Sequence, residues 1–339
     1  MPRLSVIVPV FNAEAHLRTC LDSIFGQTVR ELEVLCVDDG STDGSVRVMD
    51  DYARRESRLK VFRQANVGQG AARNRGLACV HGDYVQFVDA DDALASPDAC
   101  AWLLAVMEAG RLDALFFDAE THFSSDVPED RRRTVHAEDY IRKGDYASVM
   151  TGPALFAAFL KRREFSPSPC LLMLRRAFLE EAQIRFPESR IFYEDNVFMT
   201  RVLLAAQRAS HRPWQLYARN VWADSTMTSA LSVRHFRGRL VCYQDAVALL
   251  ARDGWDRQTR GVLRERARIY KLHVRRFLDE YPEIVSAARA ELSPDEIRLV
   301  EEIRRYPFDE KIANGFHCLR DRGLVYTLKR IVCGRRKCE

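Results

Sequence analysis

The chain of 339 residues is 47% hydrophobic and 29% charged, ordinary values for a globular protein that exclude disordered, fibrous and collagen-like classes. A formal net charge of +4 is too small to point to nucleic acid. Nine cysteines, with no Cys-x-x-Cys pair and with Cys20, Cys36 and Cys79 inside apolar patterns, read as reduced core residues. No charged-then-apolar leader opens the chain, and no run approaches the roughly 20 apolar residues of a membrane span. A cytoplasmic location is therefore expected.

In chain order, Leu4 to Val10 is an apolar, β-branched run of the kind found in a strand covered on both faces, and Pro9 marks its end. Asn12 is then expected to cap a helix in which Leu17, Cys20, Leu21, Ile24 and Phe25 share one face. Leu32 to Val37 reads as a second buried strand, stopped by the polar turn Asp38-Asp39-Gly40-Ser41-Thr42-Asp43. A helix carrying Val48, Met49, Tyr52 and Ala53 follows. Leu59 to Phe62 is a third strand, and Gln69 to Cys79 a helix built largely from small residues. A fourth strand, Tyr84 to Val88, runs directly into Asp89-Ala90-Asp91-Asp92. Strands alternating with helices imply a mainly parallel sheet.

Open sheets of this kind bind ligands at the carboxyl edge of their strands. Pro9, Val10, Asn12, Asp39, the stretch from Asn66 to Asn74, and Asp89 to Asp91 should therefore converge on one crevice. Carboxylates one residue apart can hold Mg²⁺ or Mn²⁺, which usually arrives with a substrate's phosphates. Asp39 can accept a hydrogen bond from a base, Gly68 permits close backbone approach, and Arg73 can pair a phosphate. Each has a plainer explanation: Asp39 as a helix cap, Gly68 as a packing residue, Arg73 as a surface charge, and the acidic run as a solvated turn.

Taken together, Val8-Pro9-Val10-Phe11-Asn12, Val37 to Asp43, Asn66-Val67-Gly68 with Ala72 to Gly76, and Asp89-Ala90-Asp91-Asp92 resemble the ordered signature of family 2 glycosyltransferases with the GT-A fold. The resemblance implies an inverting, metal-dependent transferase that uses a nucleotide sugar, usually a UDP-sugar, with Mn²⁺ or Mg²⁺. By that analogy Asp39 reads the base, Pro9 lines its pocket with Val10 and Asn12, Gly68, Arg73, Asp89 and Ala90 complete the donor site, Asp89 on the ribose side, and Asp91 holds the metal. The acceptor would be a saccharide or a lipid-linked saccharide, in cell-surface polysaccharide synthesis.

Beyond a helix with Trp102, Leu103, Val106 and Met107 and a strand from Asp113 to Phe117, periodicity fails between about Thr121 and Phe165, which reads as acceptor-side insertion and loop. Phe186-Pro187 and then Glu194-Asp195, opening a helix with Phe198, Val202 and Ala206, match the family again. Inverting transfer needs a base for the acceptor hydroxyl. Carboxylates near a helix's positive end stay ionised. Asp195 is the expected base and Glu194 an acceptor or structural contact; the alternative is a pair of first-turn acids that only stabilise the helix dipole. Leu216-Tyr217-Ala218-Arg219 with Ser225 to Ser229 resembles the closing segment of such domains, and by the same resemblance His235 would contact the metal or diphosphate unless it is a structural histidine.

The organisation expected is an α/β GT-A catalytic domain over 1–235, with a nucleotide-sugar half at 1–120 and an acceptor half at 121–235, followed by a helical accessory region at 236–339. Pro282, Pro294 and Pro307 punctuate the latter. The last 29 residues, 311–339, carry eight Lys or Arg against two acids, a net +6 suited to an anionic membrane surface or to a solvated terminal helix. Two other functions share these features. A nucleotidyltransferase would need a Gly-rich, basic triphosphate loop that the sequence lacks, and a binding module without catalysis has no need of Glu194-Asp195.

Overall fold

A computed structural model describes residues 2–132, 137–223 and 230–305. The chain divides into two compact units, Met1–Arg190 with Phe198–Ser229, and Ile191–Val197 with Ala230–Glu339. Described residues of the first form one eight-stranded sheet in the order β3-β2-β1-β4-β7-β6-β8-β5.

β1 (Leu4–Val10) and β2 (Leu32–Asp38) are buried along their whole length, as apolar runs in the middle of a sheet covered on both faces must be. β1 pairs in parallel with β2 and with β4 (Tyr84–Phe87), and β2 with β3 (Leu59–Arg63). Helices α1 (Leu17–Phe25), α2 (Ser45–Ala53) and α3 (Gln69–Leu77) connect these strands. The small residues of α3 let it lie close against β1: a Cβ on Gly76 would stand 2.6 Å from Ile7 Cγ2.

β5 (Ala93–Leu94) leads to α4 (Ala99–Gly110) and β6 (Ala114–Phe123). β7 (Leu172–Arg175) runs antiparallel between β4 and β6, and β8 (Ala209–Val221) pairs in parallel with β6 and antiparallel with β5. The sheet is thus mixed, mainly parallel and flanked by helices, the arrangement of a GT-A fold.

Two expectations are corrected here. Asn12 does not cap α1; it adopts a left-handed backbone (φ 49°) and its side-chain oxygen accepts from Thr42 N–H at 2.8 Å, tying β1's end to β2's. His16 occupies the N-cap position instead. The region expected to be loop contains α5 (Glu129–Arg132) and an eleven-residue helix, α6 (Gly152–Arg162), capped by Thr151 with Pro153 in its first turn. Thr-Gly-Pro was its start signal, and Leu155, Phe156 and Phe159 are its buried face. Short α7 (Arg176–Glu181) follows β7, and α8 (Glu194–Ala205) precedes β8.

The described residues of the second unit from 233 to 305 are mostly helical, as expected for this part of the chain. α9 (Val233–Leu250) and α10 (Arg257–Glu280) are its long members; α11 (Pro282–Ala288) and α12 (Pro294–Arg305) each begin at a proline, where a missing N–H costs nothing. Asp256 caps α10 by accepting from Thr259 N–H at 2.7 Å. Val262, Leu263, Ala267, Tyr270, Val274 and Phe277 form its buried face. No helix among the described residues is long and apolar enough to cross a membrane. The segments Ser225 to Ser229 and 311–339 lie outside the described residues.

Candidate active site

Because β1, β2 and β4 are parallel and in register, their carboxyl ends deliver Val10, Asp38 and Phe87 to one edge. The residues just beyond them are the ones the sequence singled out. Pro9, Val10 and Ala90 are buried. Asp39 is only 4% exposed, and its carboxylate accepts from Gln64 Nε2 at 2.9 Å, Val67 N–H at 3.0 Å and Gly68 N–H at 2.8 Å. It thereby holds the segment before α3 against the end of β2. Gly68 needs its left-handed backbone (φ 105°), and a Cβ there would come within 3.2 Å of Arg190 Cα.

The acidic loop follows β4 and is bonded on both sides. Asp89 Oδ1 accepts from Arg73 Nη2 at 2.8 Å and Gln69 Nε2 at 3.0 Å. Arg73, read from sequence as a phosphate partner, is 1% exposed and pairs with Asp89, its guanidinium 5.3 Å from the Phe186 ring. Asp92 N–H donates to Asp89 O at 3.0 Å and closes the turn. Asp92 itself is buried: its Oδ2 accepts from Tyr217 O–H at 2.8 Å and its Oδ1 from Asn220 N–H at 2.7 Å. Burial, then the neighbouring Asp91 and Asp89, push the Asp92 carboxyl well above the usual carboxylate range. Burial and then Asp92 push the Tyr217 phenol up likewise.

Among the described residues no group of three His, Cys, Asp or Glu is placed to hold a metal ion. The edge offers the half-buried carboxylates of Asp91 and Asp89. One or two carboxylates suit a hard cation that brings phosphate oxygens and water for its remaining positions, rather than one caged by protein alone. The residues therefore fit Mg²⁺ or Mn²⁺ carried on a diphosphate.

In the second unit, Glu194 (6% exposed) and half-buried Asp195 open α8. The residues on either side of them are fixed by that unit's own helices: Cys242 Sγ donates to Tyr193 O at 3.4 Å, Arg239 lies 3.4 Å over the Tyr193 ring, and Asn196 Oδ1 accepts from Arg266 Nη2 at 3.1 Å and Tyr270 O–H at 3.2 Å. His235 stacks on Phe192 at 4.0 Å, and its Nδ1 closes a capping box with Ser232 at the start of α9. Burial, with Arg234 and Arg239, pushes its pKa down to about 4, so the ring is neutral at physiological pH.

Sequence reasoning missed two partners, Gln64, which orients Asp39, and Asn220, which bonds the acidic loop; it placed Gln69 at the crevice without giving it a role. Isolated amides carry no periodic or motif signal. Tyr217 was singled out only as part of a closing segment.

The profile of glycosyl transferase family 2 matches residues 5–182. Over 221 residues the chain is 32% identical to the uncharacterized glycosyltransferase YibD of Escherichia coli (strain K12), covering 63% of this chain. It is 31% identical over 219 residues, 64% of this chain, to the uncharacterized glycosyltransferase EpsJ of Bacillus subtilis (strain 168). The match spans 60% of the length of each of these curated relatives. Among solved structures, the crystal structure of S. aureus TarS 1–349 in complex with UDP-GlcNAc is similar, with a TM-score of 0.69, 25% identity, and coverage of 98% of this chain and 90% of that one. The chain belongs to glycosyl transferase family 2.

Proposed function

We propose that the protein is an inverting glycosyltransferase that moves a sugar from a UDP-sugar to a saccharide or lipid-linked saccharide acceptor, in cell-surface polysaccharide synthesis. The observation that carries this reading is the acidic loop at the carboxyl edge of β1, β2 and β4, in a chain of this family. The likeness to TarS bound to UDP-GlcNAc supports a uridine donor.

In this reading Pro9, Val10, Asn12 and Asp39 form the base and ribose end of the donor site, with Gly68 giving the backbone its close approach. Asp89 and Ala90 continue it, and Arg73 acts through Asp89, whose carboxylate it orients. Asp91 holds the cation, Mn²⁺ or Mg²⁺. When bound, that ion neutralises charge on the departing diphosphate. His235 has its Nδ1 committed to the helix cap, which leaves Nε2 as the nitrogen a cation would use. Asp195 takes the proton from the acceptor hydroxyl as that oxygen bonds to the anomeric carbon and the bond to the diphosphate breaks. Glu194 contacts the acceptor or supports the helix start. The protein would work in the cytoplasm, at the inner face of the membrane, held there by its basic carboxyl terminus.

The test is incubation with a panel of labelled UDP-sugars and candidate acceptors. Sugar transfer that stops on exhaustive chelation, and that Asp195→Asn slows at least ~10²-fold with UDP affinity nearly intact, is the expected result. Transfer of the nucleotidyl group, or turnover that survives chelation, overturns the reading. A weakened UDP affinity in Asp195→Asn with turnover spared at saturation moves Asp195 to the donor site.

A further inference from the structure

The acidic loop is held by β8, a strand from more than a hundred residues downstream, through four hydrogen bonds that reach three of its residues. Tyr217 O–H donates to Asp92 Oδ2 at 2.8 Å and its oxygen accepts from Asp89 N–H at 3.1 Å. Asn220 N–H donates to Asp92 Oδ1 at 2.7 Å, and Asn220 Nδ2 donates to Asp91 O at 2.9 Å. Asp89's amide, Asp91's carbonyl and both carboxylate oxygens of Asp92 are used in these bonds, and none of the four uses the carboxylate of Asp91. The backbone on both sides of that carboxylate is therefore set from β8.

We propose that Tyr217 and Asn220 are positioning residues that aim the Asp91 carboxylate for the cation, and that Asp92 serves as the anchor through which Tyr217 acts. The proposal rests on the functional reading above. Tyr217 is 2% exposed, and its hydroxyl makes two hydrogen bonds to this loop, beside the buried Cys170 thiol that it also contacts. The clamp is separable from the fold. β5 and β8 remain joined through Ala93 opposite Ala218 and Leu94 opposite Tyr217, a backbone pairing that a change of side chain leaves in place. Partners outside the metal's own ligands set ligand orientation, and their loss typically costs 10–100-fold in metal affinity or activity.

The experiment is a titration of the full-length protein with Mn²⁺ in the presence of excess UDP, reading free Mn²⁺ by electron paramagnetic resonance, for the wild type, Tyr217→Phe and Asn220→Ala. Tyr52→Phe, which loses a hydroxyl bond to Asp22 elsewhere in the same unit, is the control for a merely structural loss. The expected result is a Mn²⁺ dissociation constant raised about 10-fold in both site variants and unchanged in Tyr52→Phe. Excess Mn²⁺ should then restore sugar transfer. Should Tyr217→Phe fail to fold, Asn220→Ala decides alone, because it keeps the backbone bond to Asp92 and loses only the bond to Asp91. Folded site variants that take up Mn²⁺ as tightly as the wild type overturn the positioning role. No uptake by the wild type with UDP present overturns the functional reading itself, and the positioning role with it.

Discussion

In the proposed function, the Asp39 carboxylate would serve two ends. Its oxygens accept three N–H groups from Gln64, Val67 and Gly68, and a carboxylate has about four lone-pair sites, so one direction remains for a ligand's base N–H. Asp39→Ala should therefore do two things. It leaves three donors without their acceptor, at a cost of about 1–3 kcal/mol in urea unfolding, and it weakens UDP binding in a titration. Stability lost with UDP affinity unchanged would leave Asp39 with a structural role alone. Arg73, chosen from sequence for its charge, is buried and pairs with Asp89.

At the scale of the element, α9 governs the approach to Glu194 and Asp195. A Cβ on Gly238 would stand 1.9 Å from the Phe192 carbonyl oxygen, a contact no backbone tolerates. Gly238→Ala should cost about 1–3 kcal/mol or more through overpacking, and should slow sugar transfer because it displaces the segment leading into α8. Gly261→Ala on α10, where nothing lies within 4 Å, should instead stabilise the protein by about 0.5–1 kcal/mol. Thermal denaturation of the two variants checks the contrast. His273, also on α10, has its pKa pushed down to about 4 by burial and then by Arg239, Arg266 and Arg276. The unfolded chain, with an ordinary histidine near 6.5, takes up the proton first as pH falls. Stability is therefore full above about pH 6.5 and lost as pH drops toward 4, by about 1–3 kcal/mol after allowing for partial exposure. Urea unfolding at pH 7 and pH 4.5 should show the loss, and His273→Gln should reduce it.

For the whole molecule, the proposed function assigns the basic residues of 311–339 to bringing the enzyme to its acceptor. Residues 311–339 carry a net +6 from eight Lys or Arg and two acids, and each basic residue near an anionic surface contributes about 1 kcal/mol. Full-length protein should float with vesicles containing anionic lipid at low salt, and a chain ending near Phe316 should float less. Equal flotation of the two, or none by either, removes membrane attachment through this segment.

The order of strands and helices through β4, and the edge at which Asp39, Asp89 and Asp91 gather, were legible in the sequence. Buried parallel strands write continuous apolar runs, and parallel pairing sends every carboxyl end the same way. The helical character of residues 237–305 was legible for a similar reason, since an amphipathic face repeats every three to four residues. β8 was not: Ala209–Val221 mixes Arg212, Pro213 and Gln215 with apolar residues, because it pairs with β6 through a shifted register and only parts of it are buried. α6 was hidden by the charged stretch before it. Tertiary structure alone decided what each polar side chain touches. A hydrogen bond between Tyr217 and Asp92, or between Gln69 and Asp89, depends on ångström-scale approach of elements that pack from distant parts of the chain. The sequence by itself determined the strands and helices through β4 and the edge where their ends meet; only packing determined that Arg73 is buried against Asp89 and that the acidic loop is held from β8.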